Sequence, residues 1–232
     1  MHDPQSVRSM FARIAGRYDL LNRVLSCGID QRWRRFTVKQ VGDVQDQLVV
    51  DACCGTGDLS VAFERVGARV LGVDFTPEML RFATLKVQAG KPTVFAHGDA
   101  LRLPVATDSA VACTVAFGIR NVADRLAGMR EMARVVRPGG KIFVLEFSTP
   151  PGWFMGGIYR TYFTKVLPLI GKWISGDGAA YRYLPETVLA WPKPDELQRE
   201  MQDCGLEDCD HRLLTRGVAC LHWGRVPGGG TA

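Results

Sequence analysis

The chain has 232 residues, 47% of them hydrophobic, and a formal net charge of +5 at pH 7, which suits one soluble domain with a large core. Its apolar runs are shorter than the roughly 20 residues that cross a bilayer, and its N-terminus lacks a secretory core, so we expect a cytoplasmic protein. The seven cysteines have no paired spacing, which argues against a disulfide framework and against a metal site.

Residues 1–45 are predicted to form a helical cover over the carboxyl edge of a sheet. Their apolar members recur at helical spacing: Val7, Met10, Phe11, Ile14, Tyr18, Leu21 and Leu25. We expect this helix to break near Gly16. Periodicity alone also fits a helix that merely covers the core, but that interpretation leaves the polar residues Tyr18, Asp19 and Asn22 unexplained.

A buried strand runs into a glycine turn at residues 49–57, and a helix opens near Asp58. Gly55 and Gly57 let the backbone approach a ligand closely, while the first N–H groups of the helix face an anion. Asp74 ends the next apolar run, where its carboxylate can accept hydrogen bonds from both hydroxyls of a ribose. The pattern predicts an adenosine-bearing cofactor. The alternative interpretation is a tight strand-to-helix turn beside an acidic residue on the surface, with no ligand.

The residues around this turn favour S-adenosylmethionine over a dinucleotide. The dinucleotide pattern needs a third glycine where Ser60 stands. The negative charge of Asp58 next to the turn also disfavours binding of a pyrophosphate. An amino-acid carboxylate suits the same helix start.

Short apolar runs alternate with segments of helical spacing along the rest of the chain. Strands are predicted at 48–52, 69–74, 93–97, 111–116 and 141–147, followed by an antiparallel pair at 206–214 and 218–226. Helices are predicted from Thr76-Pro77, over 122–136 with a stop at 137–140, and from Pro194 to Gly205. This order predicts an α/β fold with a seven-stranded, doubly wound, Rossmann-like sheet whose last strand is antiparallel, giving it a reversed edge.

We expect a single domain over residues 1–226, with a disordered tail at 227–232 and a helical insertion at 150–185 before the final hairpin. The stretch 152–178 interleaves many aromatic and aliphatic residues with Arg160, Lys165 and Lys172. It is predicted to be a lid over an apolar substrate or a membrane contact, and core packing is the competing interpretation.

Several strings resemble the ubiquinone/menaquinone biosynthesis C-methyltransferases, over about residues 9 to 226. They are Tyr-Asp-Leu-Leu-Asn at 18–22, Phe-Gly-Ile-Arg-Asn-Val at 117–122, Arg-Val-Val-Arg-Pro-Gly-Gly at 134–140 and Glu-Phe-Ser at 146–148. The chain departs from that family at Leu21, usually methionine, at Asp30, usually histidine, and at Arg137, usually lysine.

The resemblance implies a class I methyltransferase fold and S-adenosylmethionine-dependent methylation of a ring carbon of a polyprenyl quinol. The substrate is expected to be demethylmenaquinol, with a polyprenyl methoxybenzoquinol or another lipid or phenol as alternatives. Catalytic roles are expected for Arg120, Asn121 and Tyr18. Together with the glycine turn, the resemblance predicts these cofactor contacts: Asp51, Gly55, Thr56, Gly57, Asp74, Phe75, Asp99, Ala100 and Ala116.

Three other functions stay open at this point. A nucleic-acid methyltransferase would share the cofactor fold, and residues 32–35 (Arg-Trp-Arg-Arg) form a basic aromatic patch that suits phosphates. No strand end of the type that receives a flipped base is present, so nucleic acid is not the expected partner. A small-molecule methyltransferase of another kind and a non-enzymatic scaffold at a membrane surface are the remaining alternatives. The expected partners of the quinol methyltransferase are the polyprenyl quinol and, transiently, a membrane surface.

Overall fold

A computed structural model describes residues 3–88, 90–151 and 178–228. The helices in these ranges are α1 (Pro4–Leu25), α2 (Ile29–Val41), α3 (Asp58–Glu64), α4 (Pro77–Lys86), α5 (Arg125–Val135), α6 (Gly178–Leu189) and α7 (Pro194–Asp203). The strands are β1 (Leu48–Ala52), β2 (Arg69–Asp74), β3 (Thr93–His97), β4 (Ala110–Ala116), β5 (Val136–Phe147), β6 (Glu207–Leu214) and β7 (Ala219–Arg225). Short 3-10 turns follow β4 (Ile119–Asn121) and β6 (Thr215–Gly217).

The seven strands form one sheet in the order β3-β2-β1-β4-β5-β7-β6. Neighbouring strands from β3 to β5 are parallel, and β7 is antiparallel to both β5 and β6. This confirms the predicted doubly wound sheet with a reversed last strand. The reversed strand β7 lies inside the sheet, however, and the edge beside it is β6, so the expectation of a reversed edge was wrong.

Helices cover both faces of the sheet. Val49 and Val50 are neighbours on β1 and point to opposite faces, as successive strand residues do. Val49 packs in a core with residues of α2 and α3, including Phe63. Val50 packs in a second core with α5 and α7, including Met129 and Leu197. The sheet is therefore buried on both sides, which explains why its strands read as continuous apolar runs.

Helix α5 ends at Val135, directly before the predicted stop at 137–140. That stop is not a loop between elements but the irregular first part of β5. Ala110 pairs with Val136 and Ala112 with Lys141, so the four residues between them bulge out of the ladder.

The N-terminal segment differs from its prediction in two ways. Helix α1 is unbroken through Gly16, because a glycine in a helix interior costs only about 1 kcal/mol relative to alanine and does not by itself end a helix. A Cβ at Gly16 would lie 3.5 Å from Phe82 of α4, so the glycine sits where these two helices approach each other. Helix α2 packs on the face of the sheet beside α3 and reaches the carboxyl edge only through Arg34, whereas α1 lies across that edge.

The basic aromatic patch at 32–35 is not available as a whole for phosphate contact. Trp33 and Arg34 are buried. The indole N–H of Trp33 donates to Thr215 Oγ1 at 2.8 Å, and Arg34 is ion-paired with Asp30. These two residues hold α2 in place, which removes the sequence feature that suggested nucleic acid.

Among the described helices, none is long and apolar enough to cross a membrane. Residues 152–177, which carry most of the predicted lid or membrane contact, lie outside the described residues. So do residues 229–232 of the predicted tail.

Candidate active site

A cavity opens at the carboxyl edge of the sheet, where β1, β2 and β4 end side by side. Helix α1 lies across it and contributes Val7, Phe11 and Tyr18. The sheet and its following loops contribute Asp51, Cys53, Cys54, Gly55, Thr56, Asp58, Asp74, Phe75, Asp99, Ala100, Ala116, Phe117, Gly118 and Asn121. Of the predicted site residues, all but Gly57 and Arg120 line this cavity.

The glycine turn is tied to the acid of the next strand. One carboxylate oxygen of Asp74 accepts from the backbone N–H of Gly55 at 2.8 Å, and the other accepts from the N–H of Thr76 at 2.8 Å. Both glycines of the turn have positive φ, 55° at Gly55 and 79° at Gly57, a region that favours glycine. Asp74 therefore fixes the turn, while each of its oxygens keeps a lone pair for a further donor.

The space at this turn fits a ligand that approaches the backbone. A Cβ on Gly55 would meet no protein atom within 4 Å, and Gly55 lines the cavity, so its missing side chain leaves room there. A Cβ on Gly57 would come within 2.9 Å of Phe95 and 3.0 Å of Ala83, so Gly57 permits close packing of the turn on α4 and β3. An adenosine-bearing ligand fits this arrangement, with Asp74 as its hydroxyl acceptor.

Asp19 joins α1 to the cofactor turn. It accepts from the hydroxyl of Thr56 at 2.6 Å and pairs with Lys86 of α4 at 2.5 Å. Lys86 also pairs with Asp58 at 2.7 Å, and Asp58 accepts from Arg23 of α1 at 2.7 Å. Burial alone would raise the pKa of Asp58, but the charges of Arg34, Lys86 and Arg23 lower it, so the carboxylate form is favoured.

Asp30, which replaces the histidine usual in the resembling family, is a buried counter-ion. It pairs with Arg23 and, at 2.7 Å, with Arg34, and it accepts from the hydroxyl of Ser26 at 2.9 Å. A carboxylate balances these two guanidinium groups as a neutral imidazole could not. This ion-pair network joins α1, α2, α3 and α4 next to the turn.

The adenine side of the predicted site is built by the loop after β3. Asp99 is exposed, and its Oδ1 accepts from the N–H of Leu101 at 2.9 Å, which closes a local turn. Ala100 follows it on the cavity wall, Phe75 stands at the end of β2 below Arg8, and Ala116 ends β4. The structure brings these residues together at one cavity, and their roles as cofactor contacts stay predictions.

Asp51 lies beneath the turn, with a side chain that is almost fully buried. It accepts from the hydroxyls of Ser60 at 2.6 Å and Thr114 at 3.3 Å. Burial raises the pKa of this carboxyl group from 3.8 to about 7, although both hydroxyls and Arg34 act to lower it. The folded protein thus holds a proton on Asp51 at pH values where the unfolded chain has lost it.

This shift predicts a change in stability with pH. A carboxyl pKa raised in the folded state adds stability that is fully present below about pH 4 and is lost as the pH rises through about 7. We expect Asp51→Asn to remove this dependence, so that its stability relative to the wild type improves by about 3 kcal/mol from pH 5 to pH 8. Urea unfolding at both pH values measures it, with Asp203→Asn at the exposed end of α7 as control. If the free energy of unfolding changed with pH in the same way in Asp51→Asn and in the wild type, Asp51 would have the same pKa in the folded and unfolded states, and the prediction would be wrong.

The predicted catalytic residues are placed differently from one another. Tyr18 and Asn121 line the cavity, and burial raises the pKa of Tyr18, whose hydroxyl is also hydrogen-bonded with Asn22. Arg120 does not line it. Its Nη1 donates to both carboxylate oxygens of Glu146, at 2.6 and 2.9 Å.

The Arg120–Glu146 pair is buried, with side chains 6% and 1% exposed. Arg120 Nη1 also donates to the carbonyl of Phe117 at 2.6 Å, and its guanidinium lies 5.5 Å from the centre of the Phe147 ring. Phe117 has a φ of 59°, which is unusual for a bulky residue, so Arg120 helps to hold a strained backbone at the end of β4. Burial raises the pKa of Glu146 to about 7 against the opposing charge of Arg120.

Sequence reasoning did not assign a role to four residues of this region: Asp19, Lys86, Glu146 and Tyr183. Asp19 and Glu146 stand in strings that carry the family resemblance, and Glu146 lies near the carboxyl end of β5, where a polar residue in an apolar run was a usable signal. Nothing local in the sequence pairs Lys86 with Asp19, because the contact is made between two helices far apart in the chain.

The sequence model of the ubiE/COQ5 methyltransferase family matches residues 1–226. The chain is 47% identical to a demethylmenaquinone methyltransferase of Thermus thermophilus, over 94% of this chain and 100% of that protein. It is 45% identical to a demethylmenaquinone methyltransferase of Deinococcus radiodurans, over 93% and 90%. It is also 45% identical to a ubiquinone/menaquinone biosynthesis C-methyltransferase UbiE of Syntrophotalea carbinolica, over 95% and 94%.

Solved structures share the fold at low sequence identity. A SAM-dependent methyltransferase of Aquifex aeolicus has a TM-score of 0.64 at 16% identity, covering 97% of this chain and 100% of its own. Phosphoethanolamine N-methyltransferase 2 of Haemonchus contortus, solved with S-adenosyl-L-methionine, has a TM-score of 0.62 at 13% identity, covering 90% and 59%. At these identities the likeness concerns the fold alone.

Proposed function

Because the chain belongs to the ubiE/COQ5 methyltransferase family, we propose that it methylates a ring carbon of a polyprenyl quinol, converting demethylmenaquinol to menaquinol. Two relatives at 45% identity or more, similar over nearly their whole length, are named for the demethylmenaquinone reaction. The observation that carries the proposal is the cavity itself, which is lined by the glycine turn, Asp74, Tyr18 and Asn121 at one edge of the sheet.

The proposed methyl donor is S-adenosylmethionine, which supplies an electrophilic methyl group on a sulfonium sulfur. Gly55, Thr56 and Gly57 would hold its amino-acid end, and Asp74 would accept from the ribose hydroxyls. Asp99 and Ala100 would contact the adenine, with Phe75 and Ala116 as walls. Asp51 would support the glycine turn from below, because its carboxyl group already accepts hydrogen bonds from the hydroxyls of Ser60 and Thr114.

The remaining residues would prepare the quinol ring for attack. Val7 and Phe11 of α1 give the cavity an apolar roof, which excludes water from the reacting atoms. The new bond would form between the ring carbon and the methyl group as the bond from that methyl group to the sulfonium sulfur breaks. The electron pair of the broken bond would stay with the sulfur of S-adenosylhomocysteine, and the proton on the ring carbon would then be lost to a base. Electrons enter the ring from its neighbouring oxygen, so groups that stabilise negative charge on that oxygen accelerate the step.

Tyr18 and Asn121 are placed to contact that oxygen because both line the cavity. Arg120 would act on it from beneath the wall through its positive charge, since Glu146 and the Phe117 carbonyl already take its Nη1. In this proposal Arg120 does not remove the ring proton, because a guanidinium group donates hydrogen bonds and has no acceptor.

A polyprenyl methoxybenzoquinol is the second candidate substrate. The relative from Syntrophotalea carbinolica is named for ubiquinone as well as menaquinone biosynthesis. A polyprenyl chain resides in a membrane, so we also propose that the protein works in the cytoplasm with transient contact to a membrane surface.

Methyl transfer tests the proposal directly. Purified protein would be incubated with S-adenosylmethionine labelled in its methyl group, together with a short-chain demethylmenaquinol, a short-chain methoxybenzoquinol, RNA or phospholipid vesicles. Label in the naphthoquinol supports the main proposal, and label in the benzoquinol alone supports the second. Label confined to RNA or phospholipid, or no transfer at all, would reject both.

A further inference from the structure

Tyr183 of α6 makes a direct contact with the candidate active site. Its hydroxyl donates to Asn121 Oδ1 at 2.8 Å. Its ring packs in an apolar cluster with Met10, Ile14 and Leu21 of α1 and with Val188 of its own helix. The hydroxyl is therefore held in position by packing on two helices, and it reaches a residue on the cavity wall.

The backbone of Asn121 is fixed from the opposite side. Asn121 ends the 3-10 turn after β4, and its N–H donates to the carbonyl of Gly118 at 3.0 Å. Arg120, the residue before it, is anchored to Glu146 and Phe117. With the backbone held in this way, rotation of the amide group is the main freedom that Asn121 retains.

The hydrogen bond from Tyr183 occupies the oxygen of that amide. An asparagine side chain offers one acceptor oxygen and an NH2 group with two donors. Because Oδ1 accepts from Tyr183, the NH2 group is the half that remains, and it makes no hydrogen bond to the described residues. A ligand in the cavity would thus meet Asn121 as a donor.

We propose that Tyr183 is a positioning residue that holds Asn121 as a hydrogen-bond donor to a ring oxygen of the substrate. This inference rests on the proposed function, since it names the group that recognises the quinol oxygen. A donor there binds an oxygen better as negative charge develops on it, which is the change that ring methylation requires. The class of ligand follows: a ring oxygen that accepts, such as a quinone carbonyl or a quinol oxygen losing its proton.

Two variants distinguish the effect of the orientation of the Asn121 amide from the effect of losing the contact between Tyr183 and Asn121. Tyr183→Phe keeps the ring and removes the hydroxyl, which frees the amide of Asn121 to rotate. Asn121→Asp keeps the shape and replaces the donor by an acceptor oxygen. Thr187→Val serves as the matched control, because it removes a hydroxyl one turn further along α6 that donates to the backbone carbonyl of Tyr183 at 3.0 Å.

The first readout is binding, without turnover. A short-chain demethylnaphthoquinone, the oxidised form that has only acceptor oxygens, would be titrated by quenching of protein fluorescence. We expect its dissociation constant to rise about fivefold in Tyr183→Phe and more in Asn121→Asp. In Thr187→Val the dissociation constant for the quinone should stay at the wild-type value. The dissociation constant for S-adenosylmethionine should stay unchanged in all variants.

The second readout is turnover of the quinol. We expect kcat to fall about tenfold in Tyr183→Phe and at least 100-fold in Asn121→Asp. The double variant should be no worse than Asn121→Asp alone, because Tyr183 acts through the amide donor.

Wild-type quinone binding and kinetics in Tyr183→Phe would overturn the inference, and so would an Asn121→Asp variant as active as the wild type. Equal losses in quinone and S-adenosylmethionine binding, together with a lowered Tm, would also overturn it by showing a structural role. If the wild type binds the quinone but transfers no methyl group to the quinol, the proposed function fails while the binding readout still decides the role of Tyr183.

Discussion

Asp74→Asn is expected to weaken S-adenosylmethionine binding by at least about 100-fold. In the wild type, the two carboxylate oxygens accept separately from the N–H groups of Gly55 and Thr76, each at 2.8 Å. An asparagine can accept from only one of these groups, and its own NH2 would face the other donor. The variant therefore loosens the glycine turn and also loses the charged acceptor that we propose for the ribose hydroxyls, and hydrogen bonds to charged groups are the stronger ones.

Isothermal titration calorimetry measures this effect. Asp46→Asn is a matched control, because Asp46 is an exposed aspartate with a φ of 57°, a conformation that asparagine tolerates. A folded Asp74→Asn protein whose affinity lies within threefold of the wild type would place the cofactor elsewhere.

Arg120→Met is expected to lower the free energy of unfolding by about 3 kcal/mol, because it removes the donor from which both the buried carboxyl group of Glu146 and the Phe117 carbonyl accept. Glu146→Gln should cost less. Burial raises the pKa of Glu146 to about 7, so near that pH a neutral carboxyl group, which glutamine resembles, already lies beside Arg120 in about half of the folded molecules.

Urea unfolding at pH 7 compares the two variants. The exposed pair of Arg225 and Glu207, with side chains 32% and 51% exposed, supplies the control, since Glu207→Gln should change stability by less than about 1 kcal/mol. Equal costs for Glu146→Gln and Arg120→Met would show that Glu146 stays ionised beside Arg120 in the folded protein.

Most of the fold could be predicted because its signals are local. Strands buried on both faces are short, continuous apolar runs, and the bounds of β1, β2 and β3 follow those runs. The unbroken course of α1 could not be predicted in this way, since it depends on how α1 packs against Phe82 of α4. The extension of β5 back to Val136 likewise depends on pairing with Ala110, which is distant in sequence.

The candidate site shows the same division. Asp74 ends a strand, while Asp99 and Asn121 each follow one. Because parallel strands bring their carboxyl ends to one edge, sequence position was enough to group these residues. The engagement of Arg120 by Glu146 was out of reach because the sequence does not show which acid a buried arginine meets. Tyr183 and Asn121 are 62 residues apart in the sequence, with the segment 152–177 between them, so their contact could be seen only in the folded structure.

The ion-pair network beside the turn has a consequence for the exchange of fresh donor and spent product. Its three cationic residues, Arg23, Arg34 and Lys86, are matched by Asp19, Asp30 and Asp58, so it adds no formal charge to the cavity. Asp74 and Asp99 then leave the pocket acidic. Such a pocket attracts a sulfonium more strongly than the uncharged thioether left after transfer, so electrostatics alone would favour departure of the product.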